Sequence, residues 1–113
     1  MAEPNRLAFD MSRLSQLEKL HAAEPNDADI VYMIAHEHAK SGNLPLAVQW
    51  YDRCLAMDET YHYAYFHKAK AQQGAGEFDR ARDTARAGLE RAKKDACAKA
   101  TNELGSLLME LES

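Results

Sequence analysis

The chain is predicted to be all-α, built of six helices, and three observations carry that prediction. Residues 27–60 are echoed at once by residues 61–94: a shift of 34 places Ala35 on Ala69, Gly42 on Gly76, Ala47 on Ala81 and Leu55 on Leu89. The same shift carries Val31 to Tyr65, Tyr32 to Phe66 and Leu44 to Phe78, so apolar and aromatic positions follow it too. Each copy is two apolar-periodic stretches divided by glycine, the pattern of helix, break, helix. Alanine is abundant and β-branched residues are few, which favours helix over strand.

The elements follow in order. Residues 1–9 contain Pro4 and mixed polarity and are expected to form a flexible tail. Over residues 10–24, Leu14, Leu17 and Leu20 recur at helical spacing; Asp10 or Ser12 is the expected cap and Pro25 the stop. Moved by 34, Leu17 meets Tyr51 and Leu20 meets Cys54, so this helix stands where the second half of a preceding repeat would stand. Asn26 or Asp27 can receive the free amides of the next helix, which runs to Lys40 and ends at Ser41–Gly42. Asn43 is the expected cap of the third helix, with Pro45 in its first turn, where a missing amide proton costs nothing. Asp58, Glu59 and Thr60 make the turn that closes the repeat at residues 27–60. The second repeat spans 61–94: one helix from Tyr61 to Gln73, a turn bracketed by Gly74 and Gly76, and a return helix from Phe78 to Arg91. Gly88 replaces Cys54 there, which points to close approach of a neighbouring helix. The last helix, 95–111, carries Cys97, Leu104, Leu108 and Leu111 on one stripe and is expected to cap the open end of the stack.

The period and the placing of Gly42, Ala47, Tyr51, Cys54, Leu55, Ala35, Ala69, Gly76 and Ala81 resemble the tetratricopeptide repeat, a helix-turn-helix unit of this length. The resemblance covers residues 27–92 and the flanks more loosely. It implies a right-handed antiparallel α-α superhelix, with two full helix pairs between an N-terminal helix and a C-terminal capping helix. It also implies a module that binds protein or peptide along a concave groove lined by the first helix of each repeat. Carried over by position, the groove residues of the first copy are Asp29, Tyr32, His36, Ala39 and Lys40. Those of the second are Tyr63, Phe66, Lys70 and Gln73, and the last helix adds Cys97, Ala100 and Leu104. Tyr32, Tyr63 and Phe66 would be rigid apolar anchors, with His36 and Lys70 as donors beside them, a mixture that suits an extended or helical peptide with an apolar side chain and a carboxylate. The competing reading is that these rings simply pack between helices. One subgroup of the family grips the C-terminal carboxylates of chaperone tails with a lysine–asparagine clamp. The corresponding positions here hold Tyr32, His36, His67, Cys97 and Thr101, none of which matches, so that activity is not carried over.

Bulk properties narrow the function classes. At 113 residues the chain is long enough for a single domain that buries roughly two-thirds of its unfolded surface. The net charge is −4, and residues 1–61 hold ten acids against five bases, which disfavours a phosphate backbone as partner. The bases from Arg80 to Lys99 alternate with Asp79, Asp83, Glu90 and Asp95, the pattern of a solvated helix face. No apolar run approaches membrane-spanning length, and the N-terminus lacks the basic start and apolar core of a signal peptide. Cys54 and Cys97 suit buried thiols in a reducing compartment, and the expected localisation is cytoplasmic.

Catalytic and metal sites find little support. His36 and His38 point about 200° apart on a helix and cannot chelate together. His62 and His67 diverge as well, and His36-Glu37-His38 lacks the second histidine of a zinc-protease helix. Cys54 falls in a packing slot, where thiols are inert. No catalytic residue, metal or cofactor is therefore expected. Trp50, at the position of Thr84 in the second copy, is expected on a partly exposed outer face or in contact with the first helix, packing being the favoured reading. The sequence thus reads as a non-catalytic adaptor, scaffold or assembly factor whose protein or peptide partner it does not identify. A self-associating structural module is the alternative, and a metal-binding or enzymatic protein a remote one.

Overall fold

Local chemistry sets most of the helix ends. The computed structural model describes residues 2–113, with side chains from Arg13 onward, as six helices: α1 (Ala2–Ala23), α2 (Ala28–Lys40), α3 (Leu44–Met57), α4 (His62–Gly74), α5 (Phe78–Lys94) and α6 (Ala98–Glu112). Helix α1 starts earlier than its composition suggests. Its helical backbone includes residues 2–9 and passes through Asp10 and Ser12, so neither of these caps it. Pro4 stands in the first turn, where its missing amide has no intrahelical acceptor to lose. Asp27 caps α2, its carboxylate accepting from the amides of Asp29 at 2.9 Å and Ile30 at 3.4 Å.

The turn inside each repeat is made twice with the same parts. Gly42 and Gly76 adopt the left-handed conformation, at φ +81° and +79°. The following amides close back onto the preceding helix, Asn43 N to His38 O at 2.9 Å and Glu77 N to Gln72 O at 2.8 Å. Asn43 makes no side-chain capping bond, contrary to expectation, and only its carbonyl serves α3, accepting from Ala47 N at 3.0 Å. Between the repeats, Asp58 Oδ1 accepts from the amide and hydroxyl of Thr60, at 2.9 and 2.6 Å, closing a side-chain turn.

The junction of α5 and α6 departs from the period. Helix α5 runs on to Lys94, and α6 begins at Ala98, where a further shift of 34 from His62 would fall on Ala96. Ala96 itself turns the chain in the left-handed conformation, at φ +56°, a position that glycine would occupy at less cost. Side chains hold the turn in place. Asp95 Oδ2 lies 2.7 Å from His62 Nε2 and accepts from Arg91 Nε at 3.1 Å, while Arg91 Nη1 reaches Glu59 Oε1 at 2.9 Å. Those hydrogen bonds hold the Asp95 carboxyl below the usual carboxylate range.

Small residues let the paired helices cross closely. Ala35 and Ala47 in the first repeat, and Ala69 and Ala81 in the second, are fully buried. Tyr51, Val31, Cys54 and Ala64 complete the first core, and Ala85, Leu107 and Leu111 the second. Leu17 of α1 joins Ile30 and Ile34, and Trp50 packs on this group, against α1 and α2 as expected. The repeat relation extends to polar pairs. His38 stacks on Trp50 with centroids 6.4 Å apart, and 34 residues later Gln72 Oε1 accepts from Thr84 Oγ1 at 2.7 Å in a buried site.

Successive helices pack on one another, and α4 also touches both α2 and α6. Among the described residues, α3 makes no such contact with α5. The first helices of the repeats therefore lie closer together than the second ones, and the stack curves with α2, α4 and α6 on its inner side.

Candidate functional site

The inner side carries a cluster of rings between α2 and α4. Tyr32 stacks on His36 at 6.1 Å and lies 4.9 Å from the Tyr61 ring. His67 stands at the centre. Its ring centroid is 5.1 Å from His36, 5.3 Å from Phe66, 5.9 Å from Tyr32 and 6.3 Å from Tyr51. His36 Nδ1 lies 3.3 Å from the Tyr51 hydroxyl, and the Tyr61 hydroxyl donates to Asp29 Oδ1 at 2.7 Å. Burial disfavours charge on these groups. It raises the Tyr51 and Tyr32 hydroxyls and lowers His67, which His36 and Lys70 depress further and Glu103 partly restores. Burial thus favours the uncharged forms of Tyr32, Tyr51 and His67, in a cluster that is mostly apolar with polar tips.

A pocket of about 430 Å³ opens beside it between α4 and α6, lined by Phe66, Lys70, Asn102, Glu103, Ser106, Leu107 and Glu110. Phe66 belongs to both features, touching His67 on one side and forming the pocket floor on the other. Cluster and pocket form one continuous strip across three helices.

Of the nine groove residues expected on α2 and α4, Tyr32 and His36 lie in the cluster, Asp29 holds the Tyr61 hydroxyl at its edge, Ala39 packs against the first core, Tyr63 stands exposed on α4, and Phe66 and Lys70 line the pocket. Lys40 and Gln73 do not join them. Lys40 Nζ is 3.5 Å from Glu37, whose carboxylate also holds Arg13 of α1 at 3.3 Å. Gln73 is half-buried and lines no part of the pocket. On α6 the expected residues are displaced. Ala100 and Leu104 are buried, Leu104 at 1 % exposure, and pack with Ala92, with Cys97 partly buried against them. The two-residue offset at the α5–α6 turn puts Asn102, Ser106 and Glu110 in the register of Phe66, Lys70 and Gly74 instead. His67 and Glu103 were missed as groove residues. A 36-residue spacing from α4 to α6 would have found Glu103, but no glycine or proline marks the break. At the carboxylate-clamp positions the same offset substitutes Lys99 and Glu103 for Cys97 and Thr101.

The cysteines are free, Cys54 fully buried with its thiol 3.6 Å from the Ala28 carbonyl and pushed up to about 12 by burial. Among the described residues, no group of three or more His, Cys, Asp or Glu side chains is arranged to hold a metal ion. No described helix is long and apolar enough to cross a membrane.

These features define an α-helical repeat protein with a lined inner groove. No protein-family model and no curated protein sequence matches the chain. Among solved structures, it is similar to a tetratricopeptide repeat domain protein from Salinibacter ruber, at 28 % identity and TM-score 0.72, over 78 % of this chain and 89 % of that one. It also superposes on the TPR2B domain of yeast Sti1, solved as a pHsp70 complex, at 20 % identity and TM-score 0.84, over 98 % of this chain and 89 % of that one. PcrH in complex with the chaperone binding region of PopD matches at 17 % identity and TM-score 0.83, over 97 % and 84 %. With the repeat register above, the chain has the fold of a tetratricopeptide repeat protein, a right-handed α-α superhelix of two full helix pairs flanked by single helices.

Proposed function

We propose that the protein is a non-catalytic peptide-binding module, an adaptor, scaffold or assembly factor, that seats its partner along the inner strip from Tyr32 to the α4–α6 pocket. The observation that carries this reading is the joining of the ring cluster to the pocket through Phe66, which places rigid anchors beside polar and charged groups on one open surface. Two neighbours in fold support it, the TPR2B domain of Sti1, solved as a pHsp70 complex, and PcrH, solved in complex with the chaperone binding region of PopD. Tyr32, His36, Tyr63, Phe66 and Lys70 would make the contacts. The proposal keeps all of residues 1–113 as one unit, and the two free thiols suit a reducing compartment such as the cytoplasm.

Peptides selected from a displayed random library against the immobilised protein test this. Phe66→Ala with Lys70→Ala is expected to weaken a selected peptide at least about thirtyfold, the effect of losing an anchor worth about 2 kcal/mol. The control must avoid Arg82 and Arg86, although both lie on α5. Arg82 donates to the Leu111 carbonyl at 3.0 Å and Arg86 to Glu112 at 2.9 Å, so both tie α6 down. Arg80→Ala with Lys93→Ala, on exposed positions of α5, is expected to leave binding intact. Loss of binding in that control, with retention in the groove variant, would move the site to the outer face.

Self-association is a second reading, favoured by exposed apolar side chains near the two ends of the stack, Leu20 on α1 and Met109 on α6, the latter 73 % exposed. Light scattering across a concentration series distinguishes it, because an unchanged monomer mass would exclude it.

A further inference from the structure

The pocket between α4 and α6 combines an apolar floor with a carboxylate rim. Phe66 and the buried Leu107 form the floor, and Asn102 and Ser106 add neutral polar groups. Three lining side chains are charged: Glu103, Glu110 and Lys70. Among the described residues none of the three has an ion-pair partner within 4.0 Å, whereas nine pairs of Arg or Lys with Asp or Glu form elsewhere among them. The two glutamates, seven residues apart, lie on one face of α6 separated by about 10 Å along its axis. Charge along the rim is therefore net negative and unspent, next to a ring face and an aliphatic side chain.

We propose that this pocket selects a peptide bearing an arginine or lysine beside an apolar residue, and rejects acidic segments. The inference rests on the groove reading above and assigns its ligand chemistry. Long basic side chains have the matching shape: an apolar stem to lie on Phe66 and Leu107, and a charged head to reach the rim. The ring face of Phe66 attracts the cation, and a guanidinium can engage a carboxylate through two parallel hydrogen bonds. A ligand carboxylate at the same place would face two like charges against the single ammonium of Lys70. Glu103 also faces His67 across the groove, so the negative potential reaches the ring cluster as well as the pocket. Lys70, on the opposite wall, is placed to donate to carbonyl oxygens of the peptide backbone.

The test compares peptides enriched from a displayed random dodecamer library by the wild-type protein and by Glu103→Gln/Glu110→Gln, with helical signal checked in both. The wild type is expected to enrich arginine or lysine next to an apolar residue, and the variant to lose that bias. For one selected peptide, synthesised with an amidated C-terminus, replacing its basic residue by glutamate is expected to weaken binding at least about tenfold, and raising salt to shrink the difference. Enrichment of acidic peptides, or a basic preference that persists in the variant, would overturn the inference while leaving the groove in place. No enrichment at all by the wild type would sink the groove reading itself, and this inference with it.

Discussion

Two glycines inside helices provide a sharp test of the packing, because the same substitution should move stability in opposite directions. Gly88 lies in the middle of α5, facing α4 and α6. A Cβ built there would stand 2.6 Å from Tyr65 Cβ, 2.9 Å from Tyr65 Cγ and 3.1 Å from Leu104 Cδ2, where ordinary contact begins near 3.4 Å. Tyr65 Cβ is rigidly joined to the α4 backbone, so rotation cannot relieve the contact and α5 must withdraw from α4 by about 0.8 Å. Helix propensity alone favours alanine by about 1 kcal/mol. Overpacking costs about 1–3 kcal/mol, and a backbone-linked obstacle belongs at the upper end, so Gly88→Ala is expected to lose about 1–2 kcal/mol net. Gly105, in α6, is the counter-case: its added Cβ would meet only Leu89 Cδ1 at 3.9 Å. Gly105→Ala should therefore keep the propensity gain, about 0.5–1 kcal/mol. Urea denaturation followed by far-ultraviolet circular dichroism measures both, with an unchanged slope confirming that only stability moved. If the two variants shift the midpoint in the same direction, Gly88 is not a close-approach residue and the account of the α4–α5–α6 junction fails.

Three further outcomes are expected. Ala96→Gly relieves a left-handed alanine and should raise stability by about 1 kcal/mol, read from the same denaturation curves; a loss would mean that the turn is not left-handed. Cys54 should label slowly with a thiol reagent in the native protein and rapidly in urea, since it is buried and its thiol is pushed up to about 12. Fast stoichiometric labelling of the folded chain would remove it from the core. His67 has a lowered pKa in the folded state, and is faced by Tyr32 and His36 of α2, Tyr51 of α3, Lys70 of α4 and Glu103 of α6. Its contribution to stability is present above the ordinary histidine value near 6.5 and is lost as pH falls through the folded value. Between pH 7 and pH 5 the urea midpoint of the wild type should fall more steeply than that of His67→Gln, and an imidazole titration above 6.5 by NMR would refute the assignment.

Much of this was legible along the chain because it depends on local chemistry. Helical periodicity, Asp27 as a cap, and Gly42 and Gly76 in left-handed turns are each decided within a few residues, and the 34-residue echo repeats those decisions. Of the candidate groove residues, Tyr32, His36, Phe66 and Lys70 lie in the ring cluster or the pocket, because within the two intact repeats position along a helix determines direction. Lys40 lies apart from the cluster and the pocket, its ammonium beside Glu37, a carboxylate shared with Arg13 of α1.

The register of the last helix was decided only by tertiary contacts. Nothing near Lys93–Cys97 resembles a breaker, and propensity would carry α5 straight through. The break forms because Asp95 is held by Arg91 and His62, across to the start of α4, and because Ala100, Leu104, Leu107 and Leu111 find their burial against Ala81, Ala85 and Ala92 only if the chain turns there. Burying those side chains repays a strained alanine. It also rotates α6 so that Asn102, Glu103, Ser106 and Glu110, not Cys97, Ala100 and Leu104, face the groove. The sequence by itself determined that there are helices, where the repeats lie and which face of α2 and α4 is inner. The charge and shape of the α4–α6 pocket followed from long-range packing, because a two-residue offset on a helix turns every side chain by about 200° and no local signal records it.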